Sequence, residues 1–212
     1  MKKTPAKKNM ADDRALSRGS AASKAVEAAA APPPGVARLV RKKVIASTQT
    51  LARELADKGA PAWTVVWADR QSRGRGRMER RWASGPGGLY ASIILRPHIR
   101  PTHLARLSLE AGKAAAEAVA EASGLETRIE MPNDVLARAR GGEYRKVCGI
   151  LIEAAGDSRH IDWVVVGVGV NVNNKVPKSL PQASSLAFMT GKEHSVEAVL
   201  AAVIDRFHAV WG

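Results

Sequence analysis

The chain has 212 residues, 45% of them hydrophobic, which is room for one sizeable core and one domain of catalytic size. A single cysteine excludes an intramolecular disulfide framework and a Cys-rich zinc module, and no apolar run approaches the roughly 18 residues that span a bilayer. Thirty-three Lys and Arg against 20 Asp and Glu give a formal charge of +13, which raises a nucleic-acid or other polyanion partner at the outset.

Residues 1–35 carry seven Lys and Arg, three acids and no aromatic residue, and they end in Pro32-Pro33-Pro34-Gly35. So little apolar surface does not offset chain entropy, and the segment is expected to be a disordered, basic, Ala/Pro-rich tail. No apolar h-region follows its lysines, which argues against a secretory signal. A transit-peptide composition and a translation start at Met10 both stay compatible with it.

From Val36 onward the pattern alternates strands and helices, which predicts an α/β fold around one layered core. Ser47 to Lys58 reads as a helix stopped by Gly59, with Leu51 and Leu55 one turn apart. Trp63–Ala68 and Leu89–Leu95 are apolar, β-branched runs of strand length. Leu104, Leu107, Ala111, Ala114, Ala118 and Val119 recur at helical spacing. Val147–Glu153 and Ile161–Val170 predict two further strands joined by a turn at Gly156-Asp157. The Val164–Val168 run has the composition of a strand buried on both faces. Val196 to Trp211 forms a last amphipathic helix with Ser195 as N-cap.

Four clusters carry candidate chemistry. In Gln71-Ser72-Arg73-Gly74-Arg75-Gly76-Arg77, glycines permit tight turns and close approach, while guanidinium forks suit phosphate or carboxylate. It lies between two strands, so it reads as a loop on a scaffold rather than a disordered RNA-binding tract. Met131-Pro132-Asn133-Asp134 favours an extended residue followed by a turn. Lys146 opens the stretch Lys146–Glu153 after a loop rich in Gly and Arg. Gly167-Val168-Gly169-Val170-Asn171 ends a buried strand with glycines, which mark close approach of a ligand or equally a tight packing contact.

Taken together, these clusters resemble the catalytic domain of biotin protein ligases. The resemblance rests on Ser47-Thr48-Gln49, Gln71-x-x-Gly-Arg-Gly-Arg ending at Trp82, Ser84–Tyr90 (SGPGGLY), Pro132-Asn133-Asp134, K-x-x-GIL-x-E from Lys146 to Glu153, and Gly167–Asn171. It covers about residues 38–211. It implies a mixed central sheet with packed helices, like that of class II aminoacyl-tRNA synthetases and biotin ligases. It also implies an ATP-dependent reaction that makes biotinyl-5′-AMP and passes the biotinyl group to one lysine of a carrier domain of acetyl-CoA carboxylase or a related carboxylase.

Residue by residue, the resemblance assigns biotin to Ser47, Thr48, Gln49 and Gln71, whose hydroxyls and amides match a neutral polar ureido ring. Arg75, Gly76 and Arg77 fall on a loop that covers biotin and the adenylate. Trp82, Asn133, Gly169 and Asn171 fall on adenylate-contacting positions. Lys146 corresponds to the lysine that contacts the carboxylate and the attacked phosphate, and Asp134 to the acid that helps the acceptor lysine lose its proton. The catalytic set is therefore Lys146, Arg77 and Asp134. Mg2+ is expected on the ATP phosphates, with no dedicated carboxylate cage for a metal.

Three departures stand out. Glu130-Met131 precede Pro132 where the family has Lys-Trp, with Met131 suited to filling an apolar gap. Met78-Glu79 replace a basic-glycine pair, and the stretch between Asp134 and Lys146 reads as a longer loop. The same resemblance makes residues 36–212 the catalytic domain, without a helix-turn-helix before it or a small β-barrel after it. No specific nucleic acid and no membrane are expected as partners, the location expected is cytoplasmic, and a homodimer stays open. The competing readings are a catalytically weak biotin-binding or carrier-docking protein, a lipoyl-type ligase of the same fold, and a basic nucleic-acid-binding protein. Cys148, between Val147 and Gly149, is expected to be an inert core thiol.

Overall fold

Alternating and continuous apolar runs build a seven-stranded mixed sheet in the computed structural model, which describes residues 32–212. The strands are β1 (Arg38–Ile45), β2 (Thr64–Gln71), β3 (Leu89–Leu95), β4 (Glu126–Glu130), β5 (Asp134–Arg138), β6 (Arg145–Gly156) and β7 (Ile161–Val170). Their order across the sheet is β1-β2-β3-β7-β6-β5-β4. Only β1 and β2 pair in parallel; every other neighbour is antiparallel. The runs with the strongest β-branched content became the four central strands. All seven residues of β3 are buried, and so are Trp163–Val168 of β7.

Two helices, α2 (Leu104–Ser123) and α4 (Val196–Trp211), cover one face of the sheet. Leu107, Ala111, Ala115, Ala118 and Val119 of α2 and Val199, Leu200, Val203, Ile204 and Phe207 of α4 join Val166, Val168, Ile93 and Ile150 in the main core. The other face carries α1 (Thr48–Asp57), whose Ala52 and Ala56 pack on Val66, Ile94, Trp163 and Val165. A short α3 (Leu186–Thr190) lies between β7 and α4. Ser47, Ser185 and Ser195 cap α1, α3 and α4 by accepting from Thr50, Phe188 and Ala198 N–H groups.

The structure corrects two local expectations. The stretch after Asp134 is not one long loop: Val135, Leu136 and Ala137 are buried in β5, and only residues 139–144 turn back to β6. The turn expected at Asn133-Asp134 is made over residues 131–133, and Asp134 opens β5 opposite Glu130. Met131 fills no apolar gap, because the turn between β4 and β5 points it outward and leaves it 63% exposed. The turn foreseen at Gly156-Asp157 is present, with Asp157 Oδ1 accepting from the backbone N–H groups of Arg159 and His160. Most of the expected tail lies outside the described residues. By Gly35 the backbone is in contact with the fold, since its carbonyl meets His208 Nε2 at 2.8 Å. Among the described residues, no helix is long and apolar enough to cross a membrane.

Phe207 is completely buried where α4 meets α2 and the sheet. Phe207→Ala should destabilise the fold by about 3–5 kcal/mol through lost transfer energy and a cavity. Urea unfolding followed by far-UV circular dichroism checks this, and an unchanged midpoint would contradict the packing described.

Candidate active site

The sheet brings the ends of β1, β2 and β7 together with the beginnings of β3, β5 and β6. Every cluster singled out from the sequence therefore falls at one end of it. α1 begins there as well. Backbone N–H and Oγ1–H of Thr48 both donate to Gln71 Oε1, at 2.8 and 3.1 Å. Gln71 Nε2 donates to Ser84 Oγ at 2.9 Å, and Ser84 Oγ donates in turn to the Trp82 carbonyl at 3.1 Å. This polar chain links the helix start to the loop after β2. Ser47 caps the helix beside it.

Gln49 joins this chain only through Ser92, which meets both it and Thr48. Its Nε2 donates to Val165 O at 3.3 Å, and its Oε1 accepts from Ser92 at 3.0 Å. Successive helical residues point roughly 100° apart, so Thr48 and Gln49 do not share a direction. The amide of Gln49 lies against Gly167, where any Cβ would collide with it.

The loop from Gly74 to Trp82 is a small hairpin. Arg75 and Arg81 form a bridge, Gly76 N–H donates to Arg80 O, and Trp82 N–H donates to Gly74 O. At its tip Met78 and Glu79 have φ of 52° and 59°, the left-handed conformation that primed hairpin turns demand. Glycine or asparagine would adopt it with less strain, so the departure from a glycine-bearing pair falls at the tip itself. Gly74 approaches its surroundings closely because a Cβ there would strike the Trp82 carbonyl and the Ser84 hydroxyl.

Trp82 lies flat across two glycines. Gly149 of β6 and Gly169 of β7 are register partners, and a Cβ on either would come within 2.8 or 2.6 Å of the indole. The close approach foreseen at Gly169 is therefore made, in this structure, by a side chain of the chain itself. Trp82 Nε1 is buried and has no hydrogen-bond acceptor among the described residues.

Lys146 begins beside this ring. Its Nζ is 5.4 Å from the indole centroid, within cation–π range, and 2.6 Å from Asp134 Oδ2. Asn133 Nδ2 donates to Asp134 Oδ1 at 3.0 Å, and Arg77 Nη1 donates to Asn133 Oδ1 at 3.0 Å. Arg77, Asn133, Asp134 and Lys146 thus form one continuous chain from the loop to β6. Asn171, buried at the end of β7, accepts from Asn174 Nδ2, and its backbone joins Val147 and Leu186. Glu130 is exposed at the end of β4, in register with Asp134, and makes no ion pair among the described residues. Among those residues no three His, Cys, Asp or Glu side chains cluster to hold a metal.

The comparison with known proteins decides the family. A profile of the biotin/lipoate A/B protein ligase family matches residues 42–171. The chain belongs to that family. It is 39% identical over 160 residues to the bifunctional ligase/repressor BirA of Bacillus subtilis, covering 73% of this chain and 48% of the relative. It is 39% identical over 129 residues to a biotin–[acetyl-CoA-carboxylase] ligase of Paracoccus denitrificans, covering 59% of this chain and 51% of that one. The chain thus spans about half the length of these curated relatives. A solved structure of biotin protein ligase from Aquifex aeolicus in complex with biotin and ATP superposes with a TM-score of 0.67 at 32% identity. That match covers 82% of this chain and 69% of the other.

Within this family fold, Ser84 and Ser92 join the site without having been singled out individually. Ser92 Oγ in the buried β3 lies 3.0 Å from both Thr48 Oγ1 and Gln49 Oε1 and shares its one proton between them. A serine between Ala91 and Ile93 in a fully buried strand was the available signal, since buried polar groups need partners. The Tyr90 hydroxyl donates to Gly85 O at 2.7 Å and pins the SGPGG loop, and burial pushes its pKa well up. Cys148 is fully buried, and burial first, with the Asp134 charge adding to it, pushes its thiol up to about 12. Native protein at pH 8 should therefore resist iodoacetamide, with stoichiometric labelling only after unfolding. Rapid labelling of the native chain would contradict this placement.

Proposed function

We propose that the chain is the catalytic core of an ATP-dependent biotin–protein ligase. The observation that carries the reading is the Trp82 ring on its glycine floor, bordered on one side by the Thr48–Gln71–Ser84 chain. Lys146, Asp134, Asn133 and Arg77 border it on the other. A polar, uncharged ring fits the first border and an anionic carboxylate or phosphate the second. The identity to a ligase solved with biotin and ATP supports the same assignment.

In this reading the biotin carboxylate attacks the α-phosphorus of ATP, giving biotinyl-5′-AMP and pyrophosphate. Lys146 holds the carboxylate and offsets charge developing at phosphorus. Arg75 and Arg77 cover the adenylate and limit its hydrolysis, with Gly76 hinging between them. Asn133, Trp82, Gly169 and Asn171 border the nucleotide side. Ser47, Thr48 and Gln71 receive the ureido ring, while Gln49 supports them by tying the start of α1 to the sheet. In the second step the amine of a carrier-domain lysine attacks the acyl carbon, AMP leaves, and Asp134 helps remove the amine proton.

The carrier belongs to a biotin-dependent carboxylase, and the net positive charge would steer an acidic carrier toward the site. Mg2+ would arrive on the ATP phosphates, since this ion is usually held by substrate phosphates with one or two carboxylates rather than by a protein cage. A cytoplasmic location goes with this substrate. A homodimer joined at a sheet edge would use β1 or β4, the two outer strands.

Incubation with biotin, ATP and Mg2+ should yield biotinyl-adenylate, whereas lipoate should yield no adenylate; mass spectrometry of the products reads both. Absence of both adenylates from folded protein would sink the enzyme reading, lipoyl-adenylate alone would favour a lipoyl-type ligase, and tight biotin binding without turnover would favour a binding protein instead. Lys146→Ala should lower adenylation by about 100-fold or more while leaving the circular dichroism spectrum unchanged. Glu130 adds a negative charge beside Asp134, so Glu130→Lys should lower the KM for ATP by about threefold at low salt, and less at high salt. A rise in that KM would show that Glu130 does not oppose the nucleotide.

A further inference from the structure

Glu153 closes the K-x-x-GIL-x-E stretch, yet the proposed reaction gives it no part. It lies on β6 with its side chain 21% exposed, and it gathers two guanidinium groups from distant parts of the chain. Arg75 grips it as a fork, Nη1 on Oε2 at 3.1 Å and Nη2 on Oε1 at 3.0 Å. Arg53 of α1 shares Oε1 at 3.2 Å.

We propose that Glu153 is a positioning residue that anchors the base of the Gly74–Trp82 loop over the site by clamping Arg75. This rests on the ligase reading for its consequence in catalysis, though not for its geometry. Between its two ends the hairpin buries almost nothing: Arg75, Arg77, Met78, Glu79, Arg80 and Arg81 are all exposed, so apart from the Trp82 ring apolar burial does not hold it. Its ties to the sheet are side-chain anchors, namely Arg75 to Glu153, Arg77 to Asn133 and the Trp82 ring on its glycines. Of these only the first is a bidentate ion pair, and such a pair fixes direction as well as distance. Because two cations share one carboxylate, Glu153 orients Arg75 while the group keeps a net positive charge toward an incoming anion. Arg53 also joins the anchor to α1, the helix whose start carries Thr48.

Limited trypsin digestion of the full chain tests the anchor, since the loop offers Arg73, Arg75, Arg77, Arg80 and Arg81. Glu153→Gln should speed cleavage within this loop by about fivefold. Arg75→Gln should do so equally at the remaining sites, and the double variant no more than either alone. Denaturation midpoints and cleavage elsewhere should match the wild type. An unchanged loop cleavage rate, additive effects in the double variant, or a uniform rise in cleavage along the chain would each overturn the proposal. With preformed biotinyl-adenylate, Glu153→Gln should raise the dissociation rate severalfold, and an unchanged rate would show that the anchor does not hold the loop over the site. Failure of the wild type to bind adenylate would remove the ligase reading, while the tryptic comparison would still decide the anchor.

Discussion

The site depends on two central strands having no Cβ where they cross beneath it. Gly149 and Gly169 face each other in register, so the Trp82 indole rests directly on backbone. Any side chain there would lift the ring, because a packed sheet has little room to yield. Trp82 is also the end of the arginine-bearing loop, and Lys146 lies over its face. Lifting the ring would therefore move the loop and the lysine together. Gly167 plays the same part for Gln49, which ties the start of α1 to β3 and β7 and so orients Thr48.

The cations of the site each meet an oxygen of the protein. Lys146 meets Asp134, Arg77 meets Asn133, and Arg75 meets Glu153. An arriving carboxylate or phosphate would compete with Asp134 and Asn133 for Lys146 and Arg77, while Arg75 stays on Glu153. This gives the +13 charge a local meaning. Six arginines crowd residues 70–81, yet Arg75 and Arg77 are turned toward the sheet rather than along a surface track.

Several parts of this arrangement were legible in the chain itself. The long apolar runs became the central strands, since a β-branched run has few other stable ways to be buried. Serines before amphipathic stretches became helix caps. Edge strands β1 and β4 were not legible individually: RLVRKKVI and ETRIE mix charge with apolar residues, and their pairing partners decide them. Likewise β5 looked like loop until β6 lay beside it. Met78 and Glu79 showed a departure from a glycine-bearing pair, but not that both would sit at positive φ.

Residue types and their order were sufficient to determine the family, the four central strands, the three long helices and which clusters carry chemistry, because those follow from local pattern and motif spacing. Which groups actually touch was decided only by tertiary structure. Thr48 and Gln49 are neighbours in the chain, but helical geometry sends one to Gln71 at the end of β2 and the other to Val165 on β7. Glu153 and Arg75 are 78 residues apart, and only the folded sheet brings the carboxylate beneath the loop. The glycines could be read as sites of close approach, but whether a ligand or a tryptophan came close depended on where the loop returned, a long-range contact that no local pattern encodes.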